Sequence, residues 1–378
     1  MSTLKSKLSQ RVKKENPSIM MITSNYWEGI SYQRHHLAKQ FCKAGIKVFF
    51  VEKTPHKIPS IKTLVDYFKK SQLIKKNKKI KKNNLTIISP ILLPPITILN
   101  KLNKLLIKYY FKGLENKVDV IITYVPTLNS IEIINYITPL LKAYICVHNY
   151  DTMPKLSNIH KTETILINSC DHLYADSENN KKRLNRKLNK KKTIHFSYPG
   201  VDHKRFNSIA KKNSTYKNIY FFGIIHSLLN FTLYNKLSEK YSITFIGTIT
   251  DYKIKKYISK NIKIIPAVSN QELPSLLSDA HLFGLFYNKN KYVNHVLPAK
   301  IFECFSTTKP ILYHGLEELK KYEDIIYNIN GSYKDTIRII SNLPLTETIE
   351  KRKKRESLGI NASWENRAKS IINNLTLK

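Results

Sequence analysis

Continuous apolar runs alternate along the chain with longer stretches of helical periodicity. Such runs occupy 19–24, 47–52, 85–90, 119–126, 143–149 and 172–177 in the first half, and 219–225, 243–247, 262–268, 281–287 and 310–314 in the second. Apolar runs without polar alternation are typical of parallel strands covered on both faces. The pattern predicts an α/β protein with two Rossmann-like, doubly wound parallel-sheet domains.

A polar, turn-rich segment separates the two series of runs, and 378 residues exceed what one hydrophobic core usually organises. We expect an N-terminal domain over 1–203, a linker over 204–217 and a C-terminal domain over 218–361. The closing amphipathic helix, 362–378, contains Trp364, which has no obvious place in the second sheet. We therefore expect this helix to return to the N-terminal domain.

The charge is far from balanced, because 64 Lys and Arg residues against 27 Asp and Glu residues give a net charge of +37. This excess is larger than solubility requires and indicates an anionic partner or surface. Basic clusters at 69–82, 181–192 and 351–355 contribute to it. A lysine-rich solvated surface is the simpler interpretation of each cluster.

The four cysteines are scattered without a C-x-x-C pair, so the sequence predicts neither a zinc site nor a disulfide framework. The N-terminus lacks the apolar core of a signal peptide, and the longest apolar stretch, 88–99, is short and broken by prolines. We expect a cytoplasmic protein without a membrane-spanning segment.

The segment 98–112 has the pattern of a cationic amphipathic helix. One stripe is apolar and a second is basic, formed respectively by Ile98, Leu102, Leu105 and Tyr109 and by Lys101, Lys104, Lys108 and Lys112. Such a helix commonly covers a sheet. The alternative is that it rests on anionic lipid at the inner face of the plasma membrane.

Several segments resemble, in order, those of glycosyltransferases of the GT-B fold, and together they span nearly the whole chain. They are "SYQRHHLAKQFCKAGIKVFFVE", "YPGVDHKRF", "NQELPSLLSDAHLFGLFY", "LPAKIFECFSTTKPIL" and "SWENRAKSI". The segment "FFGIIHSLLNFTLYNKLSEKYSITFIGTITD" is most similar to bacterial family 4-like enzymes of teichuronic-acid, capsule and exopolysaccharide biosynthesis. The resemblance implies a hexosyltransferase-like enzyme whose N-terminal domain (1–203) lies on the acceptor side and whose C-terminal domain (218–361) binds the nucleotide sugar.

The resemblance gives Glu303 a role, because the matching glutamate in such enzymes accepts hydrogen bonds from the ribose hydroxyls of a nucleotide sugar. A carboxylate that accepts two hydroxyls is satisfied by charge-assisted bonds. Lys300, one turn earlier, would add positive charge near the diphosphate. The structural alternative is a surface glutamate and its solvated lysine neighbour.

The same resemblance places further positions at the donor, namely Gly223, Ala267, Val268, His295, Val296 and Leu297. Gly29 follows the first apolar run and opens a helix, where it would let backbone amides approach the donor phosphates or the acceptor. An ordinary tight turn at Gly29 and an ordinary loop at Ala267 and Val268 are the alternatives. The chain also departs from the pattern, since His295 replaces its first glutamate and Thr308 replaces a glycine. The loop after Gly223 lacks an Arg and Lys pair that many family 4 members direct at the diphosphate.

His148 lies at the end of the fifth apolar run and Asp151 follows it, at the edge where doubly wound sheets bind ligands. We interpret them as candidate catalytic residues. His148 either contacts the transferred sugar or acts with Asp151 in proton transfer. A hydrogen-bonded structural histidine is the alternative.

The sequence therefore predicts a metal-independent glycosyltransferase without a cofactor. Its donor would be a UDP or GDP sugar, and its acceptor a growing cell-surface glycan or a lipid-linked glycan. Alternatives are a catalytically degenerate homologue that binds nucleotide or glycan, a nucleotide-sugar epimerase of the same fold, and a polyanion-binding basic protein. The last is disfavoured because no nucleic-acid-binding module is present, so no specific nucleic acid is expected.

Overall fold

The computed structural model describes residues 17–28, 31–55, 80–152, 158–210, 215–290, 293 and 296–375. These residues form two compact units. Unit 1 comprises residues up to Tyr198 together with Arg367 onward, and unit 2 comprises Pro199–Asn366. In the described part of the chain, no helix combines the length and the apolar character needed to cross a membrane.

Unit 1 is built on an eight-stranded sheet with the order β3-β4-β2-β1-β5-β6-β7-β8. Its strands are β1 (Ser18–Ile22), β2 (Lys47–Val51), β3 (Ile80–Lys82), β4 (Leu85–Ile88), β5 (Val120–Thr123), β6 (Leu141–Cys146), β7 (His172–Ala175) and β8 (Ile194–Phe196). All neighbours pair in parallel except β3 and β4.

Alternate residues of each central strand face opposite cores. Ile19 and Met21 of β1 pack on one side of the sheet, and Met20 and Ile22 pack on the other. The helices of unit 1 are α1 (Gln33–Lys43), α2 (Asn100–Phe111), α3 (Leu128–Ile137), α4 (Ile159–Ser169) and α5 (Glu178–Asn185). Helices on both faces explain why the strands read as continuous apolar runs, and they confirm the predicted doubly wound sheet.

The last helix, α12 (Trp364–Asn374), starts in unit 2 and ends in unit 1. Ala368, Ile371 and Ile372 join the same core as Leu37 and Phe41 of α1, which confirms the predicted return of the C-terminal helix. Trp364 instead packs within unit 2. A Cβ on Gly200 would lie 2.3 Å from its indole ring, so only a glycine leaves room for Trp364.

Unit 2 contains a six-stranded parallel sheet with the order β11-β10-β9-β12-β13-β14. Its strands are β9 (Asn218–Phe222), β10 (Ser242–Ile246), β11 (Ile262–Ile265), β12 (Leu282–Phe286), β13 (Ile311–His314) and β14 (Tyr327–Asn328). Its helices are α6 (His203–Asn207), α7 (Phe231–Leu237), α8 (Leu273–Leu277), α9 (Ile301–Ser306), α10 (Tyr333–Thr346) and α11 (Ile349–Asn361).

The beginning of the segment 204–217 is helical and packs within unit 2. Phe206 of α6 is 2% exposed. The side-chain amide of Asn207 donates to the Ser306 carbonyl at 3.0 Å, which fixes α6 against the end of α9. Residues 211–214 lie outside the described part of the chain.

Candidate functional site

The carboxyl ends of β9 and β10 approach each other closely in unit 2. Gly223 follows β9 with φ +108°, and Gly247 follows β10 with φ +157°. A Cβ on Gly247 would stand 1.8 Å from the Gly223 carbonyl oxygen. Only glycine satisfies both the positive φ and this backbone contact. The loops after β9 and β10 therefore pack backbone against backbone at this edge of the sheet.

The Lys300 side chain lies against the loop that begins at Gly223. A Cβ on Gly223 would lie 2.8 Å from the Lys300 Nζ atom, and the same Nζ lies 3.8 Å from the centroid of the Phe221 ring. Lys300 precedes the first residue of α9, and Pro298 starts the turn by accepting a hydrogen bond from the Ile301 amide at 3.0 Å. The helix start thus places an ammonium group against the backbone at the end of β9.

Glu303 lies in the first turn of α9, one turn after Lys300. Burial raises the pKa of Glu303 to about 7, although Lys300 opposes the shift. Burial likewise lowers the pKa of Lys300 to about 8. Within the described residues the Glu303 side-chain carboxylate has no hydrogen bond and no ion pair, and the residue is half-buried. Partial burial of a carboxylate without a partner carries a desolvation cost, and hydrogen-bond donors from a ligand would offset it.

His226, which lies near Lys300, is not among the residues predicted from the sequence. Burial and, after it, the Lys300 charge lower the pKa of His226. Its Nδ1 accepts a hydrogen bond from the Leu228 amide at 3.2 Å, and its ring centroid is 5.9 Å from that of Tyr287. His226 lies three residues after Gly223, which follows β9. This position is the sequence signal for it, because ligands bind beside the carboxyl ends of the strands in such sheets.

The other predicted donor residues are spread along the same edge. Ala267 and Val268 follow β11, with Ala267 exposed and Val268 half-buried. Val296 and Leu297 precede α9, and Leu297 is 9% exposed. Gly29 and His295 lie outside the described residues. The structure therefore brings together Gly223, Lys300 and Glu303.

A cavity of about 530 Å³ opens elsewhere in unit 2, with Ser227, Lys256 and Asn288 among its lining residues. Neither Lys300 nor Glu303 lines it. The candidate donor site is assigned instead to Lys300 and Glu303, at the start of α9.

Thr308 occupies the position where the signature has a glycine, and it adopts the left-handed conformation with φ +59°. Its carbonyl accepts hydrogen bonds from the Arg355 Nη2 and Nε atoms at 2.7 and 3.2 Å. Arg355 is fully buried and also pairs with Glu347. A β-branched residue is strained in this region, and the arginine holds it there.

In unit 1, His148 and Asp151 lie beyond the carboxyl end of β6. His148 is exposed, and its carbonyl accepts a hydrogen bond from Arg183 Nη2 at 3.2 Å. The Asp151 Oδ1 atom pairs with Lys187 Nζ at 2.5 Å and with His160 Nδ1 at 3.3 Å. Burial raises the pKa of Asp151, but Lys187 and Arg183 outweigh it, and the net pKa is lowered. Asp151 is therefore an ionised carboxylate engaged in ion pairs.

Behind this pair lies a buried ionic network. Glu163, whose side chain is fully buried, accepts hydrogen bonds from Arg183 at 2.6 Å and from Lys187 at 2.8 Å. The Tyr144 hydroxyl donates to the same carboxylate at 2.9 Å. Because Lys187 bridges Glu163 and Asp151, the network holds the loop after β6 in one position.

Neither a protein-family model nor a curated protein sequence matches the chain. Solved structures do match over almost its full length. A glycosyltransferase from Rickettsia africae has a TM-score of 0.68 at 13% identity, covering 96% of this chain and 98% of that one. Sucrose-phosphate synthase from Thermosynechococcus elongatus has a TM-score of 0.67 at 10% identity, with the same coverage.

Anabaena HepE in complex with UDP and glucose is similar with a TM-score of 0.62 at 10% identity, over 95% of this chain and 99% of that one. These neighbours share the two-sheet architecture described above. The chain therefore has the GT-B fold, as the sequence predicted. At these identities the similarity shows the fold, and the chemistry has to be argued from the residues of this chain.

Proposed function

We propose that the protein is a glycosyltransferase that moves a sugar from a nucleoside-diphosphate sugar to a glycan or lipid-linked glycan acceptor. The observation that carries this proposal is the half-buried Glu303 carboxylate, which has no hydrogen-bond or ion-pair partner among the described residues, one turn after the half-buried Lys300. The ribose and diphosphate of a nucleotide sugar have the complementary chemistry, since they provide hydroxyl donors for the first group and negative charge for the second. The GT-B fold supports the proposal.

In this mechanism the acceptor hydroxyl attacks the anomeric carbon, and the bond from that carbon to the diphosphate oxygen breaks. The electron pair remains on the diphosphate, and the hydroxyl proton passes to a base or to solvent. Lys300 stabilises the charge that develops on the leaving diphosphate, which is the main demand of the step. We propose a metal-independent reaction because Lys300 supplies this positive charge, with Gly223 leaving space beside it.

We assign the donor nucleotide to the edge of unit 2 that carries Gly223, Ala267 and Val268, with backbone contacts to the base. The HepE complex with UDP supports UDP ahead of GDP as the nucleotide. Val296, Leu297 and His295 would line the sugar side of the site, immediately before α9.

In unit 1 we propose that His148 contacts the transferred sugar. The ion pairs of Asp151 with Lys187 and His160 support a positioning role for this carboxylate more than proton transfer, since an efficient general base has a pKa near the working pH. A His148→Ala variant is then expected to lose transfer while retaining donor binding.

We further propose that the acceptor is a cell-surface glycan or its lipid carrier and that the protein works at the inner face of the membrane. The support is the apolar stripe of α2 and the turn before it, which does not cover the sheet. Its members are 52–84% exposed: Ile98, Leu102, Leu105 and Tyr109. Ile107 and Phe111, on another face of the helix, are buried in the core of unit 1. Lysines line one edge of the stripe, a combination typical of interfacial helices.

The experiment that tests donor binding is isothermal titration of the protein with UDP and with GDP, at moderate and at high salt. Saturable UDP binding that survives high salt and is lost in Glu303→Ala is the expected result. The matched control is Glu317→Ala, which removes a 41% exposed glutamate side chain of the same unit. Binding that Glu303→Ala leaves unchanged, or that high salt abolishes, would contradict the donor-site assignment.

Turnover separates an active enzyme from a degenerate homologue. Water can take the place of the acceptor hydroxyl in an active site that breaks the bond to the diphosphate, so we expect slow hydrolysis of the matching UDP-sugar that Glu303→Ala abolishes. A basic polyanion-binding protein would show no hydrolysis, and its affinity for nucleic acid would fall steeply with salt.

A further inference from the structure

Arg34 is a buried cation at the carboxyl edge of the unit 1 sheet. It is the second residue of α1 and is 8% exposed. Its guanidinium carbon lies 5.4 Å from the centroid of the Tyr32 ring and 5.3 Å from that of Tyr124. Tyr124 follows β5 directly, so Arg34 stands over the strand ends where doubly wound sheets bind ligands.

Arg34 lacks the counter-ion that the other buried arginines have. Arg183 is paired with Glu163, and Arg355 with Glu347. Among the residues that the structure describes, the Arg34 side chain has neither an ion pair nor a hydrogen bond, and its Nε atom is buried without a partner. Burial accordingly lowers the pKa of Arg34, while the surrounding tyrosines partly offset the shift. An unpaired buried charge is costly, and aromatic rings recover only part of that cost.

Other buried polar atoms at the same edge also lack partners. The Tyr124 hydroxyl follows β5, the Asn25 side-chain oxygen follows β1 and the Thr54 hydroxyl follows β2. These three strands are neighbours in the sheet. Native structures leave few such groups unsatisfied. Their concentration at one edge indicates a site that a polar ligand completes.

We propose that Arg34 is the centre of an oxyanion subsite in unit 1, which binds a phosphate group of a substrate with help from the Tyr124 hydroxyl. The planar guanidinium offers several N–H donors to phosphate oxygens, and the tyrosine hydroxyl adds another. This inference rests on the proposed function, because it assigns the phosphate to one of the two substrates. The phosphate belongs either to the acceptor, as in a lipid-linked glycan, or to the donor diphosphate.

The test is isothermal titration of the full-length protein with inorganic phosphate at constant ionic strength. In Arg34→Gln we expect the affinity to fall at least tenfold, and in Arg34→Lys by less, since lysine keeps the charge without the planar geometry. Tyr124→Phe keeps the ring and removes only the hydroxyl, so we expect a loss of about threefold to tenfold. This variant tests the proposal even if Arg34→Gln folds poorly.

Arg186→Gln is the matched control, because Arg186 is an exposed arginine of the same unit. It reports how far loss of one charge from a chain of net charge +37 weakens phosphate binding in general. The same variants are titrated in a Lys300→Met background, which removes the candidate donor-site cation. Equal phosphate affinity in the wild type, Arg34→Gln and Arg186→Gln would overturn the subsite.

UDP titration of the same variants distinguishes the two sources. If Arg34→Gln weakens UDP and phosphate alike, the subsite serves the donor diphosphate. If it weakens phosphate alone, the subsite serves a phosphorylated acceptor. Glu303→Ala keeps the two proposals separate, since it should abolish UDP binding and leave phosphate binding at Arg34 unchanged. Absence of UDP binding with intact, Arg34-dependent phosphate binding would refute the donor site and retain the subsite.

Discussion

The Nζ atom of Lys300 lies 2.8 Å from the point where a side chain on Gly223 would begin. The glycine after β9 therefore provides the space that the lysine before α9 occupies, although the two are far apart in the sequence. This packing aims the ammonium group at the strand ends. It also makes the position of Lys300 sensitive to a single methyl group.

Gly223→Ala is expected to displace the Lys300 side chain and to weaken UDP binding tenfold or more. The added Cβ would overlap Nζ, and the φ of +108° disfavours any residue with a Cβ. We expect the free energy of unfolding to fall by about 1–2 kcal/mol from the backbone strain. UDP titration and thermal unfolding of the same preparation measure both effects.

Gly113→Ala is the control that distinguishes backbone strain from displacement of the Lys300 side chain. Gly113 has φ +81°, but nothing lies within 4 Å of its Cβ position. The substitution should therefore destabilise the protein to a similar extent and leave UDP affinity unchanged. Equal losses of UDP affinity in both variants would show that Gly223 does not act through Lys300.

UDP affinity should depend on pH with a maximum between about pH 7 and pH 8. The carboxylate form of Glu303, whose pKa burial raises to about 7, accepts ribose hydroxyls, so affinity should fall as the pH drops below 7. The ammonium form of Lys300, whose pKa burial lowers to about 8, attracts the diphosphate, so affinity should also fall above pH 8. Titrations from pH 6.5 upward avoid the phosphate ionisation near pH 6.

The two limbs of this profile can be removed separately. Glu303→Gln should flatten the acidic limb and Lys300→Met the alkaline limb, each with lower affinity at the optimum. A wild-type profile without either limb would contradict the assignment of these two groups to the donor.

Glu303→Gln should also make the ligand-free protein more stable. The pKa of Glu303 in the folded protein is raised to about 7, above the unfolded value of 4.5, so its stabilising contribution is complete below pH 4.5 and is lost as the pH rises through 7. At pH 8 we expect the variant to gain about 1–3 kcal/mol in free energy of unfolding. At pH 4 the difference should vanish. Urea unfolding at both pH values measures it, and equal stability at pH 8 would contradict a raised pKa.

The sequence predicted most of the fold because parallel strands buried on both faces leave a continuous apolar signal. Short strands carry no such signal. The antiparallel β3 has the sequence Ile-Lys-Lys, and β14 has only two residues. For Glu303 and Lys300, the motif indicated donor-site roles, and these stay predictions. The sequence did not predict roles for Arg34 and His226, because their environments depend on residues distant in sequence. These are Tyr124 for Arg34 and Lys300 for His226.

Thr308→Gly is expected to stabilise the protein by about 1 kcal/mol. The change relieves a β-branched residue at φ +59° and removes a buried hydroxyl without a hydrogen-bond partner among the described residues. The greater flexibility of glycine in the unfolded chain offsets part of this gain. Thermal unfolding measures the effect, and a loss of stability would show that the threonine side chain contributes more than its backbone strain costs.

Arg355→Met is expected to destabilise the protein, because Arg355 is the hydrogen-bond donor to the Thr308 carbonyl. It leaves the Thr308 carbonyl, the Ile325 carbonyl and the Glu347 carboxylate without their buried donor. Removing one partner of a buried pair typically costs about 3–5 kcal/mol. In Thr308→Gly this loss should be similar, because the carbonyl of residue 308 needs its donor in either background.

The exposed stripe of α2 predicts reversible binding to anionic vesicles. Leu102 is 52% exposed and Leu105 is 65% exposed, and each would bury its side chain in lipid for about 1.5–3 kcal/mol. The double variant Leu102→Ser, Leu105→Ser should therefore lose at least tenfold in affinity for phosphatidylglycerol-containing vesicles in a sedimentation assay. Because these side chains pack on little protein, its thermal stability should not fall.

Two controls show whether the stripe acts as an interfacial surface or the protein binds through net charge alone. The variant Leu345→Ser, Ile349→Ser removes apolar side chains of unit 2 that are 85% and 59% exposed, and it should bind vesicles as the wild type does. Lys101→Gln combined with Lys108→Gln should weaken binding by about 1 kcal/mol per lysine at low salt and less at high salt. If the serine variant keeps full affinity and the lysine variant loses it, the attraction is electrostatic only and α2 does not enter the lipid interface. If both lose affinity and the unit 2 control does not, the helix binds by both its apolar stripe and its basic edge.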